Sequence, residues 1–450
     1  MRIPLPLATY KQSGTRLLNV HPEAVNQGKA PVLLRHAPGV GAFATVPTAG
    51  FGGAVEWNDL IYLLSGEVLY SISRSGAVTS IGVVPATGRM PMVANRLAVV
   101  MANGYYTDGA TVSQITDPDF VPGTDIDFLD NFLIFLRPDS DTFAISELNS
   151  TTDFDALDFA VAESRPDKLV GLIADHNQIV LAGTRTVELY WNAGTTGFTF
   201  ERIPDGVVEL GCVAGATLAA LDNSVVWLAS DGTVRALRDR TPARISQHGV
   251  ECALASYGDL SAAFAFTYTL EGHLCYVLTI PGQATLVYDF STLEWCERET
   301  LGQADWQVRG AVEAWGKTWV FDDAGRMGEL STTVYAEWGA EVRKEWCYPA
   351  VYAERVMASH GRFESAVKPG EGLVTGQGSD PTIGLDFSDD GGKTWVNLPS
   401  RSLGKIGQYK YRQVWHGLGS SRDRIYRQWV SDPVPVVLED AVVEAVGGYI

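Results

Sequence analysis

The chain has 450 residues, 46% hydrophobic and 19% charged, which is too long for one ordinary core and too apolar for a disordered chain. A formal net charge of −19 excludes a general nucleic-acid clamp, because gripping a phosphate backbone needs cationic surface. No apolar run approaches the ~20 residues that cross a bilayer as a helix, and 46 Gly with 21 Pro suit an all-β chain rich in turns.

Residues 1–40 read as an extended basic arm. Residues 1–35 hold five Lys/Arg (Arg2, Lys11, Arg16, Lys29, Arg35) against one acid. Pro22, Pro31 and Pro38 deny this stretch a continuous ladder. Its first residues, with Pro4 and Pro6, lack the long apolar segment of a signal peptide. The short apolar pieces cannot offset the roughly 1–2 kcal/mol per residue lost on ordering a backbone. The arm therefore needs a surface, and the acidic one is at hand on a neighbouring subunit or on its own propeller. Leu17, Leu18, Val20, Val32, Leu33 and Leu34 would supply burial there, and Arg16 and Arg35 would set register. On this reading, removing residues 1–35 stops assembly and leaves the following domain folded.

From residue 41 to about 335 a hairpin recurs seven times. Each copy is a short apolar strand, a turn ending in Asn or Gly, and a second strand rich in aromatic and β-branched residues. The turns are Trp57-Asn58, Ala94-Asn95, Asp130-Asn131, His176-Asn177, Asp222-Asn223, Glu271-Gly272 and Trp315-Gly316. Asn and Gly tolerate the left-handed conformation that tight hairpins demand. Successive turns lie 37, 36, 46, 46, 49 and 44 residues apart, the period of a β-propeller blade. The sequence Gly-Ala-Val-Glu occurs in both the first copy (Gly53) and the seventh (Gly310). Small inner strands such as Leu169-Val170-Gly171-Leu172 and Val213-Ala214-Gly215-Ala216 are expected round the axis. Closure is expected between residues 42–46 and the last blade. Two longer loops, 116–130 and 148–167, are acidic and aromatic but lack calcium-loop spacing, and read as solvated or partner-facing. Residues 36–335 carry 37 Asp/Glu against 16 Lys/Arg, so the propeller holds the negative charge.

Residues 336–450 alternate in polarity and read as a β-sandwich, with strands near 349–356, 361–367, 382–388, 394–397, 408–416, 424–431 and 434–446. Ser388, Asp390, Gly392, Thr394 and Trp395 fit the Asp-box, S-x-D-x-G-x-T-W. This is a hairpin signature, structural in role. Residues 393–427 are basic and aromatic. Arg412, Trp415, Arg422, Arg424 and Arg427 fit a protein interface better than a single-strand groove, because an acidic partner surface exists on the same polypeptide.

Catalytic and cofactor signatures are missing. Gly316-Lys317-Thr318 follows Gly310 one residue out of phosphate-loop register, in a strand–turn–strand context. The seven His show no zinc spacing. The five Cys (212, 252, 275, 296, 347) are scattered and read as reduced thiols of a protein assembled in a cytoplasm. No enzyme, cofactor or metal is expected.

Three islands resemble the tail-hub, or packaged-DNA stabilisation, proteins of short-tailed bacteriophages. The first is Arg16-Leu17-Leu18-Asn19-Val20-His21-Pro22-Glu23, then Pro38-Gly39. The second is Ala162-Glu163-Ser164-Arg165-Pro166-Asp167-Lys168-Leu169-Val170-Gly171, then Gly183, Glu188-Leu189-Tyr190 and Gly194. The third is the Asp-box with Gly407-Gln408-Tyr409, Arg412, Trp415, Leu418-Gly419 and Arg422-Asp423-Arg424. The resemblance implies a virion tail protein without catalytic function. It implies a ring of six copies below portal and adaptor proteins, closing the head, retaining packaged DNA and carrying needle, spike or fibre proteins. Double-stranded DNA would leave through the lumen unbound, past an acidic propeller face that repels it. The rival readings are a glycan-binding or sialidase-like propeller, which needs clustered Arg, Tyr and carboxylates on one face, and a monomeric scaffold propeller.

Overall fold

The computed structural model describes residues 16–25, 31–86, 88–162, 167–195, 197–352 and 356–447. Arg2, Lys11 and Lys29 of the arm, and Glu163, Ser164, Arg165 and Pro166 of the second family-like stretch, lie outside them. Among the described residues the chain is all-β apart from the α-helix His248–Ser256 and a short 3-10 turn, Gly215–Thr217.

Seven antiparallel four-stranded units form the blades of a propeller: 51–83, 92–114, 125–161, 169–208, 219–244, 264–298 and 308–331. The last has only three strands of its own. Gly39–Thr45 supplies the fourth by pairing with Arg326–Ser331, which closes the ring slightly earlier in the chain than expected. The innermost strands follow one another round the axis, and the seventh (Val308–Ala314) returns to the first (Phe51–Trp57). Each second strand is packed between neighbouring blades on both faces. That is why stretches such as Leu60–Ser65 and Phe132–Leu136 read as apolar runs and not as alternation. Buried side chains fall into clusters between consecutive blades, such as Ile61, Leu63 and Tyr70 against Trp319, Phe321 and Met327 between the first and the seventh.

All seven anticipated turns join the first and second strands of their blades. Four of them hold both turn residues at positive φ: Asp130-Asn131, Asp222-Asn223, Glu271-Gly272 and Trp315-Gly316. The first is shifted by one residue. Asn58-Asp59 makes the turn, and Trp57 ends the strand with its indole N–H on the Asn95 carbonyl at 2.8 Å. In the second blade Asn95 does not sit in a two-residue turn. Its Oδ1 accepts the amides of Leu97 and Ala98 at 2.7 and 2.8 Å and caps a longer loop. Val213–Ala216 is likewise no strand, because Gly215 opens the 3-10 turn there. A Cβ on Gly215 would stand 1.7 Å from the Val170 carbonyl oxygen, so two backbones meet at this point of the axis.

The arm is extended, and its described strands pair within the chain. Leu17–Leu18 lies parallel to Glu294–Arg298, the outer strand of the sixth blade, and antiparallel to Lys344–Cys347. Sixth blade and sandwich thereby share one ten-stranded sheet. Val20–Ala24 and Val32–His36 form a hairpin that extends the second sandwich sheet beside Val437–Gly447. The arm finds its surface on its own chain, on the sandwich as well as on the propeller that was anticipated. Leu17, Leu18, Val20 and Leu34 are all at most 1% exposed and already occupy their own chain's core.

The sandwich strands are Lys344–Cys347, Val351–Tyr352, Ala358–Val367, Thr382–Ser388, Val396–Ser402, Gln413–His416, Ser420–Ser421, Asp423–Val430 and Val437–Gly447. The first of these was not anticipated. Much of the anticipated 408–416 strand is loop instead. Two polar links cross between the sheets. Gln428 donates to Ser365 Oγ at 3.0 Å, and His360 sits between the Tyr426 and Ser421 hydroxyls at 2.9 Å each. Burial, reinforced by the nearby Arg424 charge, pushes His360 down to about 4.

Leu17→Ala will lower stability by about 2–5 kcal/mol, as core truncations do. Calorimetry of the variant will show the lowered melting temperature. His360 has a folded-state value below its unfolded one, so the stability it supplies is complete above pH 6.5 and is lost as pH falls toward 4. Urea unfolding across that window will show a slope of at most about 1.4 kcal/mol per pH unit that is reduced in His360→Gln.

Candidate functional site

The basic aromatic strip divides in two. One part is internal. Trp415 is 1% exposed, with its indole N–H on the Pro399 carbonyl at 2.8 Å. Arg424 is 2% exposed, forks onto Asp389 at 2.6 and 2.7 Å and lies over the Phe387 ring. Arg427 reaches buried Asp386 at 2.7 Å and covers the Trp395 ring at 4.1 Å. Of the residues expected at partner contacts, Leu17, Leu18, Trp415 and Arg424 are therefore corrected to core positions. A side chain already enclosed by its own chain has no surface left to offer. Arg16 bridges Glu297 at 2.9 Å, Glu299 at 2.8 Å and Glu345 at 3.5 Å, which joins the sixth blade to the sandwich. Arg35 contacts Glu23 and Glu271 of the same chain.

The other part is open. Arg412 holds Glu364 bidentately at 2.8 Å yet stays exposed, and Lys405 and Lys410 are exposed too, whereas exposed Arg422 lies toward the other end of Ala358–Val367, next to Ser421 on Ala358. Tyr409 and Tyr411 are 67% and 46% exposed. Beside them stand Leu373, Val374 and Ile406, which sequence reasoning missed. Two loops make this tip, tied by the Gly370 amide on the Leu403 carbonyl and the Gly407 amide on the Gly370 carbonyl. Isolated apolar residues in Gly-rich loops give little signal in sequence. Only the fold collects them into one apolar patch rimmed by cations, the composition of an interaction surface.

The acidic loops are stitches between blades. Asp117 accepts the Phe154 amide at 3.2 Å, and Phe120, Phe135 and Phe154 pack on one another. Asp125 and Asp127 accept the Leu172 and Ala174 amides of the next blade at 2.9 and 2.7 Å. Burial pushes these carboxyls up to about 7 and about 6, against the pull of the amide donors. Asp125 also lines the axial channel with Gly53, Val170, Gly215 and Ala311. This channel has a volume of about 370 Å³.

The family-like central stretch is structural where described. Asp167 accepts the amides of Thr184, Arg185 and Thr186 at 3.0, 2.6 and 2.9 Å, capping the turn after the fourth blade's second strand. A Cβ on Gly183 would meet the Asp167 carboxylate at 2.5 Å. Asp390 accepts the Lys393 and Thr394 amides at 2.9 Å and the Thr394 hydroxyl at 2.6 Å, while Ser388 Oγ accepts the Gly392 amide at 2.8 Å. The Thr394 hydroxyl and amide hold the Asp390 carboxyl well below the usual range.

The fold is thus a seven-bladed propeller spliced to a β-sandwich, with turn caps where motifs stood out. The residues matched by known families agree. Residues 8–335 match the bacteriophage P22 Gp10 β-propeller family and residues 345–446 the bacteriophage P22 Gp10 β-sandwich family. The chain belongs to the bacteriophage P22 Gp10 family of phage DNA-stabilisation and tail proteins, structural components of the virion and not enzymes. No curated protein matches it. Solved propellers resemble it only in general form. The designed protein Ika8 has 14% identity and TM-score 0.37, covering 65% of this chain and 99% of that one. Virginiamycin B lyase from Staphylococcus aureus has 9% identity and TM-score 0.44, covering 63% and 95%. BamB from Moraxella catarrhalis has 13% identity and TM-score 0.39, covering 72% and 98%.

Asp390→Ala will lower the melting temperature through lost turn capping, and Asp390→Asn will lower it less, since one amide-accepting oxygen remains. Thermal unfolding of the three proteins checks the order.

Proposed function

We propose that this chain is a tail-hub subunit. Copies assemble into a ring that closes the DNA-filled head, retains the packaged DNA and forms part of the ejection conduit. The observation that carries the reading is the family membership of both domains. The geometry adds a constraint. Inner strands of the fourth and fifth blades meet backbone to backbone at Val170 and Gly215, so the axis of a single propeller is too narrow for a duplex to thread. The conduit must be enclosed by several chains. The family resemblance supports a ring of six, with portal and adaptor proteins above and needle, spike or fibre proteins below, as the form this assembly takes.

Charge supports a passive conduit. Residues 36–335 carry the molecule's negative excess, and an acidic wall repels a phosphate backbone instead of holding it. The sandwich tip supports the ring contact. Lys405, Lys410 and Arg412 with Tyr409, Tyr411, Val374 and Ile406 suit the acidic loops of a neighbour's second and third blades, where Leu148 and Leu157 stand exposed. Apolar burial supplies the affinity there, and charge selects the register.

The quadruple variant Lys405→Glu, Tyr409→Ala, Lys410→Glu, Tyr411→Ala changes only exposed loop side chains. It will keep the wild-type melting temperature. It will fail to form rings in negative-stain images and will be missing from assembled particles. Normal incorporation of this variant would overturn the proposed contact.

A further inference from the structure

We propose that the joint between arm hairpin and sixth blade is a binding site for one divalent transition-metal ion of the zinc type, held by His21, Glu23 and His273. His21 and Glu23 lie on the edge strand Val20–Ala24 of the sandwich sheet, two residues apart and on one face. His273 opens the second strand of the sixth blade, His273–Ile280. Their donor atoms all lie within 4.8 Å of one another, the one such group found among the described residues.

The arrangement is more than three polar groups in proximity. His273 Nδ1 meets the buried Asp289 carboxylate at 2.6 Å, which sets the ring's direction. Nε2 then faces Glu23 Oε2 at 3.1 Å. A ligating histidine whose other nitrogen is held by a carboxylate is the recurrent support of metal sites. Donor atoms round a tetrahedral ion at about 2.0–2.1 Å stand about 3.3 Å apart, so the Glu23–His273 pair already has the required spacing. The His21 ring stands edge-on to His273 with centroids 4.9 Å apart. Rotation about its side-chain torsions brings a nitrogen into the same shell.

A small cavity of about 30 Å³, lined by all of His21, His273, Asp289 and Glu271, adjoins the group. That is the volume of one water, enough for the fourth ligand. Arg35 lies 3.4 Å from Glu23 and 3.9 Å from Glu271. It competes for Glu23, and Glu271 can hold it once an ion takes that carboxylate. Two imidazoles and one carboxylate select Zn²⁺, Co²⁺ or Ni²⁺ over Mg²⁺ or Ca²⁺. The ion would pin sandwich to propeller beside the shared strand.

The test is calorimetric titration of the full chain, stripped with a chelator, using ZnCl2 and, separately, MgCl2. One Zn²⁺ per chain and no Mg²⁺ are expected, with a rise in melting temperature on Zn²⁺ addition. His21→Ala and His273→Gln should each weaken Zn²⁺ binding by at least about tenfold, and Asp289→Asn by about tenfold through loss of ring orientation. His21→Ala leaves the His273–Asp289 contact in place, so a folded variant is available. Cys252→Ser should bind as wild type, because it removes the separate exposed pair in which Cys252 Sγ lies 3.6 Å from His248 Nε2. Absence of Zn²⁺ binding, or binding unchanged in His21→Ala and lost in Cys252→Ser, would overturn the site.

Discussion

Strand Leu17–Leu18 hydrogen-bonds on one side to the outer strand of the sixth blade and on the other to the first strand of the sandwich. A sheet edge left open at either place would expose unpaired amides and carbonyls. Filling both with one short segment turns two domains into one continuous ten-stranded sheet. The cores merge accordingly. Val277, Val287 and Trp306 of the propeller share a cluster with Leu17, Val20 and Leu34 of the arm and Phe363, Trp415 and Tyr426 of the sandwich. Arg16, Glu297, Glu299 and Glu345 add an ionic layer over the same seam. Propeller and sandwich are thereby joined through one sheet and one core.

The propeller contributes stability and charge, and its axis carries no chemistry of its own that the geometry reveals. Its inner strands crowd so closely that glycine is needed where the fourth and fifth blades touch. The blades are stitched by aspartates on the amides of the next blade, at Asp125 and Asp127. Those carboxylates do inside the ring what backbone pairing does within a sheet. Other acids, among them Glu188, Asp289, Glu297, Asp305 and Asp322, are buried as well, while the exposed ones help keep the molecule strongly negative, which favours solubility and discourages adhesion of nucleic acid.

Residues that carry the family resemblance turn out to be mostly turn caps and packing positions. Asp167 caps one blade turn, Asp390 caps a sandwich hairpin, and Arg424 with Asp389 pins the strand beneath it. Such positions depend on exact backbone geometry, so they serve the fold itself.

The all-β class, the seven hairpins and the Asp-box were legible because each rests on local chemistry: turn residues that accept positive φ, and second strands that are apolar on both faces. Closure of the ring by the chain's early residues was legible too, since a circular stack of sheets has no stable open end. Tertiary structure alone decided the fate of the arm and of the basic strip. Nothing local tells whether Leu17 or Trp415 will meet a partner or the chain's own core, because burial depends on which strands arrive beside them from hundreds of residues away. The same holds for Val374, Ile406 and Tyr409, and for His21 with His273, whose significance lies in proximity across separate elements. Sequence periodicity encodes which face of a strand is apolar. Only packing determines what that face will touch.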